Sequence, residues 1–308
     1  MNVLHQDIAE KYAMYHGDCC EVIKGIPENS VGYIIFSPPF SSLYTYSNYN
    51  EDMGNSKGDA EFYKHFEYLV PELYRVLKPG RSLSFHCMDL PIMKEKEGFI
   101  GLKDFPGELL RLFEKAGFVF HSRVTIWKDP LIEATRTKAL GLLHKQLVKD
   151  SYICRQGCAD YLITVRKRGV NEEPIAHPQG LTEYYGKNEP QLPKSNIKYS
   201  HTVWQRYASP VWSDIRQTYT LNTQGAKDQN DEKHICPLQL DVIARGITLW
   251  SNKGDIVLSP FGGIASEGYQ AIKMGRKFIG IELKDSYYNQ AVLNLKKASE
   301  LTEDIKLF

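Results

Sequence analysis

The sequence predicts an α/β fold in which helices cover both faces of a mainly parallel sheet. Short apolar runs bounded by turn residues are spread across the 308 residues, and amphipathic helical patterns separate them. This alternation favours parallel strands, since a helix carries the chain back to the edge of the sheet where the next strand starts. The 42% of hydrophobic residues and the net charge of +1 exclude a disordered or fibrous chain.

Six strands are predicted from runs of apolar and β-branched residues that end at glycine, proline or polar side chains. They are residues 31–37, 81–87, 119–127, 161–166, 255–259 and 277–283. The first and fifth of these runs both end in Ser-Pro, which predicts two similar strand ends facing one crevice.

Helices are predicted where apolar residues recur at spacings of three and four. Phe62, Phe66 and Leu73 belong to one such pattern, which ends at Lys78-Pro79-Gly80. Pro71 is expected to kink this helix or to mark its start. Further helices are predicted at residues 106–116, 237–250, 265–274 and 286–298.

The middle of the chain has a different composition. Residues 169–233 are rich in Asn, Gln, Pro, Ser and Tyr and lack a sustained period, which indicates loops or a small inserted module that faces the substrate. We therefore predict one α/β domain whose two halves, residues 1–130 and 234–308, flank an insertion at residues 131–233.

Membrane and metal-binding classes receive no support from the sequence. No stretch approaches the roughly 18 apolar residues of a membrane span, and the first residues lack a targeting pattern, so we expect a cytoplasmic protein. The six cysteines are too sparse for a disulfide framework. Cys154 and Cys158 have no second Cys/His pair to complete a zinc site, and no metal is predicted.

A glycine-bearing turn follows the predicted strand near the carboxyl terminus, in the run Ser259-Pro260-Phe261-Gly262-Gly263. Glycines at such a turn let a ligand approach the backbone closely. The next strand ends in Glu282, whose carboxylate is placed to accept hydrogen bonds from both hydroxyls of a ribose. The pattern favours an adenosine-type cofactor over a plain turn followed by a surface glutamate.

A proline-rich segment, Ser37-Pro38-Pro39-Phe40, ends the first predicted strand. The two prolines stiffen it and leave its carbonyls available as acceptors. Those carbonyls and the Ser37 hydroxyl can bind an amino group, while the Phe40 ring offers a stacking face. Taken alone, the segment fits a proline turn or a short polyproline stretch equally well.

Together these two segments resemble the amino-methylating DNA methyltransferases. Their order, with residues 37–40 before residues 259–263, resembles the circularly permuted beta class of that family. Shorter matches follow in the family's order at residues 72–80, 83–86, 116–118, 126–128 and 234–238. The resemblance implies a doubly wound, Rossmann-like methyltransferase sheet in permuted order, with a small target-recognition region inserted.

The resemblance also implies S-adenosylmethionine as the cofactor, and it assigns a role to individual positions. The residues implied at the target base are Ser37, Pro38, Pro39 and Phe40. Those implied at the cofactor are Asp18 on the adenine side, Ser259 toward the amino group, Phe261, Gly262 and Gly263 at the methionine end, and Glu282 at the ribose. Ser259 departs from the Asp that such enzymes often carry, and residues 264–266 replace a turn richer in glycine and threonine.

The reaction implied is methyl transfer to the exocyclic amine of a base flipped out of duplex DNA. In this family, Ser at the first position of the proline-rich segment is associated more with N4 of cytosine, and Asp or Asn more with N6 of adenine. We therefore predict N4-cytosine methylation, with N6-adenine methylation as the alternative. Two other classes stay open: a non-catalytic nucleic-acid-binding protein, and a nicotinamide-dependent dehydrogenase, although its Gly-x-Gly-x-x-Gly spacing is missing.

Residues 128–168 form a locally basic segment, with nine Lys and Arg side chains against four acidic ones. Clustered positive charge of this kind binds phosphates, although a solvated helix face gives the same pattern. The DNA-binding residues predicted here are Arg136, Lys138, Lys145, Lys149 and Arg155. The expected partner is double-stranded DNA, and a cognate restriction endonuclease is a further candidate. The chain is expected to be a monomer or a homodimer.

Aromatic residues are interleaved with basic ones further along the chain, at Tyr199, Trp204, Tyr207, Trp212 and Tyr219. Such side chains can stack on an opened duplex or form the core of a small module. We favour core positions for the two tryptophans.

Overall fold

The computed structural model describes residues 3–40, 53, 56, 58–92, 98–99, 101–137, 144, 148, 157–223 and 237–304. The strands are β1 (His5–Ile8), β2 (Tyr12–His16), β3 (Tyr33–Phe36), β4 (Ser82–Met88), β5 (Leu90–Ile92), β6 (Gly101–Lys103), β7 (Val119–Ile126), β8 (Asp160–Arg166), β9 (Val211–Trp212), β10 (Ile256–Ser259) and β11 (Lys277–Glu282). The helices are α1 (Cys19–Val22), α2 (Asp59–Val76), α3 (Phe105–Lys115), α4 (Pro130–Thr137), α5 (Ile197–Tyr207), α6 (Leu240–Trp250), α7 (Ser266–Lys273) and α8 (Asp285–Asp304).

Nine strands form one sheet in the order β1-β2-β11-β10-β3-β4-β8-β7-β9, and β5 pairs separately with β6. The strands from β2 to β4 in this order are parallel, while β8 runs antiparallel to both of its neighbours. The chain leaves β10 through α7 toward β11 on one side, and leaves β3 through α2 toward β4 on the other. The carboxyl ends of β10 and β3 therefore flank a topological switch point, where open α/β sheets bind ligands.

Both faces of the sheet are covered by buried apolar side chains. Ile34 of β3 belongs to one hydrophobic cluster with Phe62 of α2, and the adjacent Ile35 belongs to a second cluster with Ile243 of α6. Successive side chains of a strand point to opposite faces, so the two clusters lie on the two sides of the sheet. Each fully buried side chain of this size contributes about 1.5–3 kcal/mol.

The six predicted strands are confirmed, with ends shifted by a residue or two. The five predicted helices are confirmed as well, and Pro71 lies inside α2 rather than at its start. The sequence pattern misses β1 and β2 because both are short and contain a single β-branched residue, Ile8. It also misses α5, which lies in the stretch predicted as loops or a small inserted module. Among the described residues, no helix combines the length and apolarity needed to cross a bilayer.

β8 lies inside the stretch predicted as the insertion. Residues 160–166 pair along their whole length with β4 on one side and with β7 on the other. The predicted insertion at residues 131–233 therefore contains a strand of the central sheet.

Candidate active site

The carboxyl ends of the parallel strands bring the predicted site residues to one edge of the sheet. β3 pairs with β10, and β10 pairs with β11, so the segments that follow these strands are neighbours. Aromatic rings connect them: Phe36 lies 5.7 Å from Phe261, and Phe66 of α2 stacks on Phe261 at 6.3 Å between ring centroids. The prediction that the two Ser-Pro strand ends face one crevice is consistent with this pairing.

The glycine loop after β10 lies against the end of β11. Gly262 donates its N–H to the Ile281 carbonyl at 2.7 Å, and a Cβ at Gly262 would lie only 2.9 Å from Met14 Cε. Gly263 has a positive φ of 51°, and a Cβ there would meet no atom within 4 Å. One glycine is therefore required by packing, and the other borders open space that a ligand can fill.

Glu282 is fixed by two backbone donors. Gly263 N–H donates to Oε2 at 2.7 Å, and Lys284 N–H donates to Oε1 at 2.8 Å. Gly17 N–H donates to the Glu282 carbonyl at 2.9 Å, so Asp18, which follows the end of β2, is a near neighbour. The structure thus brings the predicted ribose and adenine residues to adjoining strand ends.

Asp18 also caps α1, since its Oδ1 accepts the N–H of Cys20 at 3.0 Å. Ligand atoms of Asp18, Cys19 and Cys20 lie within 4.8 Å of one another. A side-chain hydrogen bond between Cys19 and Cys20, together with burial, raises the pKa of the Cys19 thiol well above its usual range. The neutral thiol is therefore favoured here, whereas a metal ligand has to be a thiolate.

Ser259 and Ala265 show how this chain accommodates its departures from the family's loop. Ser259 is fully buried, and its hydroxyl donates to the Phe261 carbonyl at 3.2 Å. This hydrogen bond stabilises the conformation of the glycine loop. Ala265 adopts the left-handed conformation, with φ 61° and ψ 45°, directly before α7. A left-handed conformation costs a residue with a Cβ roughly 1–2 kcal/mol, which explains why glycine suits this turn better.

The proline-rich segment begins at the end of β3. Ser37 is half-buried and Pro38 is buried, while Pro39 and Phe40 are partly exposed. The Phe40 ring meets Phe105 of α3 edge-on, with centroids 6.2 Å apart. The segment therefore packs against α3 through Phe40, while Pro39 and Phe40 remain partly accessible to a ligand.

Ser37 contacts a histidine that the sequence did not mark as a site residue. Ser37 Oγ lies 3.1 Å from His86 Nδ1, and His86 Nε2 lies 3.1 Å from Asp160 Oδ2. Asp160 Oδ1 in turn lies 2.7 Å from Lys128 Nζ, which also contacts Glu133 Oε2 at 3.2 Å. In the sequence, His86 is marked only by its position in a predicted strand, and Asp160 only by its position directly before another predicted strand.

Burial and ion pairing act in opposite directions on Asp160. Burial alone would raise the pKa of its carboxyl, but His86 and Lys128 outweigh that effect and lower the pKa below its usual value. Asp160 is therefore a buried carboxylate at neutral pH. The anion is held directly behind the imidazole that faces Ser37.

The basic segment at residues 128–168 does not form one surface. Lys128 is partly buried in the cluster behind His86, with 13% of its side chain exposed. Arg166, at the far end of β8, pairs with Ser82, and the adjacent Lys167 donates to the Leu77 carbonyl at 2.8 Å. Because β8 is antiparallel, residues 166–168 lie at the amino edge of the sheet, opposite the site.

The predicted DNA-binding residues fall mainly outside the part of the chain that the structure describes. Arg136 belongs to α4, of which only the backbone is described at that position. The remaining four, which all lie outside the described residues, are Lys138, Lys145, Lys149 and Arg155.

The interleaved aromatic residues divide between core and surface. Tyr199, Tyr207 and Trp212 are buried. Arg245 of α6 lies over the Tyr207 and Trp212 rings at 4.7 and 5.1 Å. The prediction of a core position is confirmed for Trp212 but is wrong for Trp204, which is 58% exposed because it lies on the outer side of α5.

A family model described as DNA methylase, of the N6 and N4 methyltransferase type, matches residues 31–293. The DNA adenine methyltransferase YhdJ of Escherichia coli is 28% identical over 300 residues, which cover 96% of this chain and 86% of that relative. Type II methyltransferase M.BamHI of Bacillus amyloliquefaciens is 25% identical over 88% of this chain, and the match spans 54% of that enzyme.

Two solved structures share the fold. PvuII DNA methyltransferase, which is cytosine-N4-specific, has a TM-score of 0.65 at 16% identity, with 99% of this chain and 96% of that chain covered. TTHA0409 of Thermus thermophilus, complexed with S-adenosyl-L-methionine, has a TM-score of 0.62 at 20% identity, with 94% of this chain and 96% of that chain covered. The family model spans most of the chain, and the protein therefore belongs to the DNA methylase family of N6 and N4 amino-methyltransferases.

Proposed function

We propose that this chain transfers a methyl group from S-adenosylmethionine to N4 of a cytosine flipped out of double-stranded DNA. The observation that carries the proposal is the position of Ser37. Its hydroxyl follows β3, which pairs directly with β10, so it lies beside the glycine loop rather than on a separate surface. A neutral hydroxyl at this position, in place of Asp or Asn, favours cytosine.

The residues around the glycine loop fit an adenosine cofactor with a methionine side chain. Open space borders Gly263, and Glu282 presents a carboxylate at the next strand end. Phe261, Gly262 and Gly263 would hold the methionine end, Glu282 the ribose and Asp18 the adenine side. When bound, S-adenosylmethionine supplies an electrophilic methyl group on a sulfonium. Ser259, being buried, would act by shaping the loop.

Ser37 and Pro38 would orient the target amine. An exocyclic amine is a weak nucleophile because its lone pair is delocalised into the ring. Hydrogen bonds from its two N–H groups to Ser37 Oγ and the Pro38 carbonyl would turn that lone pair out of the ring plane, so catalysis rests on alignment. Flipping the base costs a few kcal/mol, and stacking on the partly exposed Phe40 ring offsets about 1–3 kcal/mol of that cost.

Methylation of adenine N6 is the second candidate. The relative YhdJ, which is an adenine methyltransferase, is 28% identical over nearly the whole chain. PvuII DNA methyltransferase, whose specificity is N4 of cytosine, is related at the level of the fold. The two relatives favour different bases, and Ser37 is the feature of this chain that favours cytosine.

Product analysis separates these candidates. The purified protein is incubated with methyl-labelled S-adenosylmethionine and duplex DNA of mixed sequence, and the DNA is digested to nucleosides for mass spectrometry. We expect label in N4-methylcytosine. Label in N6-methyladenine instead would establish the second candidate. Absence of transfer at stoichiometric protein would contradict both and leave a nucleic-acid-binding role.

We also propose that the basic residues Arg136, Lys138, Lys145, Lys149 and Arg155 contact DNA phosphates. Each lost contact lowers the slope of log affinity against log salt by about 0.9. The double variant Lys145→Gln with Lys149→Gln is therefore expected to flatten the slope by roughly 1.8. Lys253→Gln, an exposed position at the amino edge of the sheet, is the matched control. A monomeric or homodimeric state, a cognate restriction endonuclease and a cytoplasmic location remain predictions.

A further inference from the structure

We propose that His86, held by Asp160, takes up the proton that the target amine loses, and receives it through the Ser37 hydroxyl. The inference rests on the proposed methyl transfer to an exocyclic amine and adds to it a route for the proton. His86 does not touch the base in this scheme, so it is a positioning and proton-accepting residue behind Ser37.

The chemistry requires such a route. Methyl transfer forms the new N–C bond with the amine's lone pair and breaks the C–S bond, whose electron pair stays on sulfur. The nitrogen then has a positive charge and one proton too many for the neutral N-methyl base. A serine hydroxyl does not hold an extra proton near neutral pH, so Ser37 must pass its own proton to a base as it accepts one.

The geometry places that base within reach. Ser37 Oγ lies 3.1 Å from His86 Nδ1. His86 Nε2 lies 3.1 Å from Asp160 Oδ2, and the two side chains are only 10% and 5% exposed. The Nε2 contact with Asp160 is an ion-pair distance without hydrogen-bond geometry. In the neutral tautomer that has its proton on Nε2, beside the carboxylate, the lone pair of Nδ1 faces the Ser37 hydroxyl.

The groups behind His86 carry an excess of negative charge. Lys128 lies 2.7 Å from Asp160 and 3.2 Å from Glu133, so this group contains two carboxylates and one ammonium. A proton that reaches His86 therefore arrives beside anions that can balance its charge. These groups come from β8, from the segment after β7 and from α4.

The other face of β4 carries a separate pair of titratable groups. Tyr161 Oη lies 3.5 Å from Asp89 Oδ2, and Tyr161 is the cross-strand partner of the buried Cys87. Side chains alternate along a strand, so these groups point away from His86. Among the residues that the structure describes, the charges that face His86 are those of Asp160 and of the ion pair behind it.

The test is the pH profile of a single turnover, measured with saturating S-adenosylmethionine and duplex DNA across about pH 5 to 9, the range in which histidine titrates. The wild-type rate is expected to fall at acidic pH, because a protonated His86 cannot accept a proton. His86→Asn is expected to be about 100-fold slower and to lose this acid limb. Asp160→Asn is expected to be slower and to shift the acid limb to lower pH, because the imidazolium loses its anion.

Controls keep the outcomes distinct. His121→Asn, an exposed position near the start of β7 at the edge of the sheet opposite the site, should keep the wild-type rate and profile. Binding of S-adenosylhomocysteine, measured by calorimetry, verifies that each variant is folded. If His86→Asn does not bind it, the pH profile of Asp160→Asn is used instead to test the proposal. Retention of the wild-type acid limb in the deciding variant overturns the proposal, since a purely structural role slows the reaction equally at every pH. Failure of the wild-type protein to methylate any DNA instead overturns the proposed function itself.

Discussion

Gly263 donates its backbone N–H to the Glu282 carboxylate at 2.7 Å and thereby ties the glycine loop to the end of β11. The second carboxylate oxygen accepts the N–H of Lys284 at 2.8 Å. Each carboxylate oxygen has two lone pairs, so one backbone hydrogen bond does not exhaust the ability of an oxygen to accept a further bond from a ligand hydroxyl. One side chain thus positions the loop and also presents acceptors beside it.

Replacing Glu282 tests this dual role. Glu282→Ala removes hydrogen bonds to a charged group, each worth about 1.5–3 kcal/mol. We expect the Kd for S-adenosylhomocysteine, measured by calorimetry, to rise by roughly 10- to 100-fold. Glu300→Ala, at an exposed position of α8, should leave the Kd unchanged. An unchanged Kd for Glu282→Ala would remove this residue from the ribose site.

The two loop glycines should respond differently to alanine. Gly262→Ala places a Cβ 2.9 Å from Met14 Cε and 3.1 Å from the Ile281 carbonyl oxygen, so we expect a lower Tm without any ligand. Gly263→Ala meets no neighbouring atom but adopts a left-handed φ, which costs roughly 1–2 kcal/mol. Its larger effect should be on ligand binding, because the new methyl group occupies the open space. Thermal unfolding with and without S-adenosylhomocysteine measures both effects; an equal ligand-induced rise in Tm for Gly263→Ala and wild type would contradict the assignment.

Ser37→Ala should separate turnover from cofactor binding. The hydroxyl is half-buried and contacts His86, whereas the Glu282 carboxylate accepts the N–H of Gly263 in the glycine loop. Loss of one hydrogen-bond acceptor for the amine is expected to slow single-turnover methylation by at least about 10-fold. The Kd for S-adenosylhomocysteine should stay within about twofold of wild type. Collapse of cofactor binding would show that the two halves of the site are not independent.

A buried glutamate at the start of α7 predicts a pH-dependent stability. Burial raises the pKa of Glu267 to about 8, compared with 4.5 for the ordinary side chain. Between these two pKa values the unfolded chain releases the proton of Glu267 and the folded chain retains it. The contribution of Glu267 to the free energy of unfolding is therefore fully present below about pH 4.5 and is lost as the pH rises through about 8. The slope from this group is roughly 1.4 kcal/mol per pH unit.

Glu267→Gln should therefore flatten that decline and make the protein more stable than wild type at pH 8 while leaving it similar at pH 5. Urea unfolding at the two pH values measures the difference. Glu10→Gln, at an exposed position, is the matched control. Equal pH dependence in Glu267→Gln and wild type would show that the carboxyl is not neutral in the folded protein.

The sequence determined the elements and their order, because strands, helices and turns have local signals. Residues 37–40 and 259–263 follow predicted strands and stand in the order of the permuted family, and Glu282 stands at the end of the next strand. Those signals are short-range, so the pattern was enough to predict which residues act at the base and at the cofactor. The sequence pattern did not predict β1, β2 or α5, where the local signals are weak.

The tertiary structure alone decided which of these residues meet. Parallel pairing of β3 with β10 joins two segments from opposite ends of the chain, and antiparallel insertion of β8 brings Asp160 behind His86 while it sends Lys167 to the opposite edge. No local period encodes such contacts, because they depend on strand order and direction rather than on neighbouring residues. The histidine behind Ser37 could therefore be recognised only once the sheet was assembled.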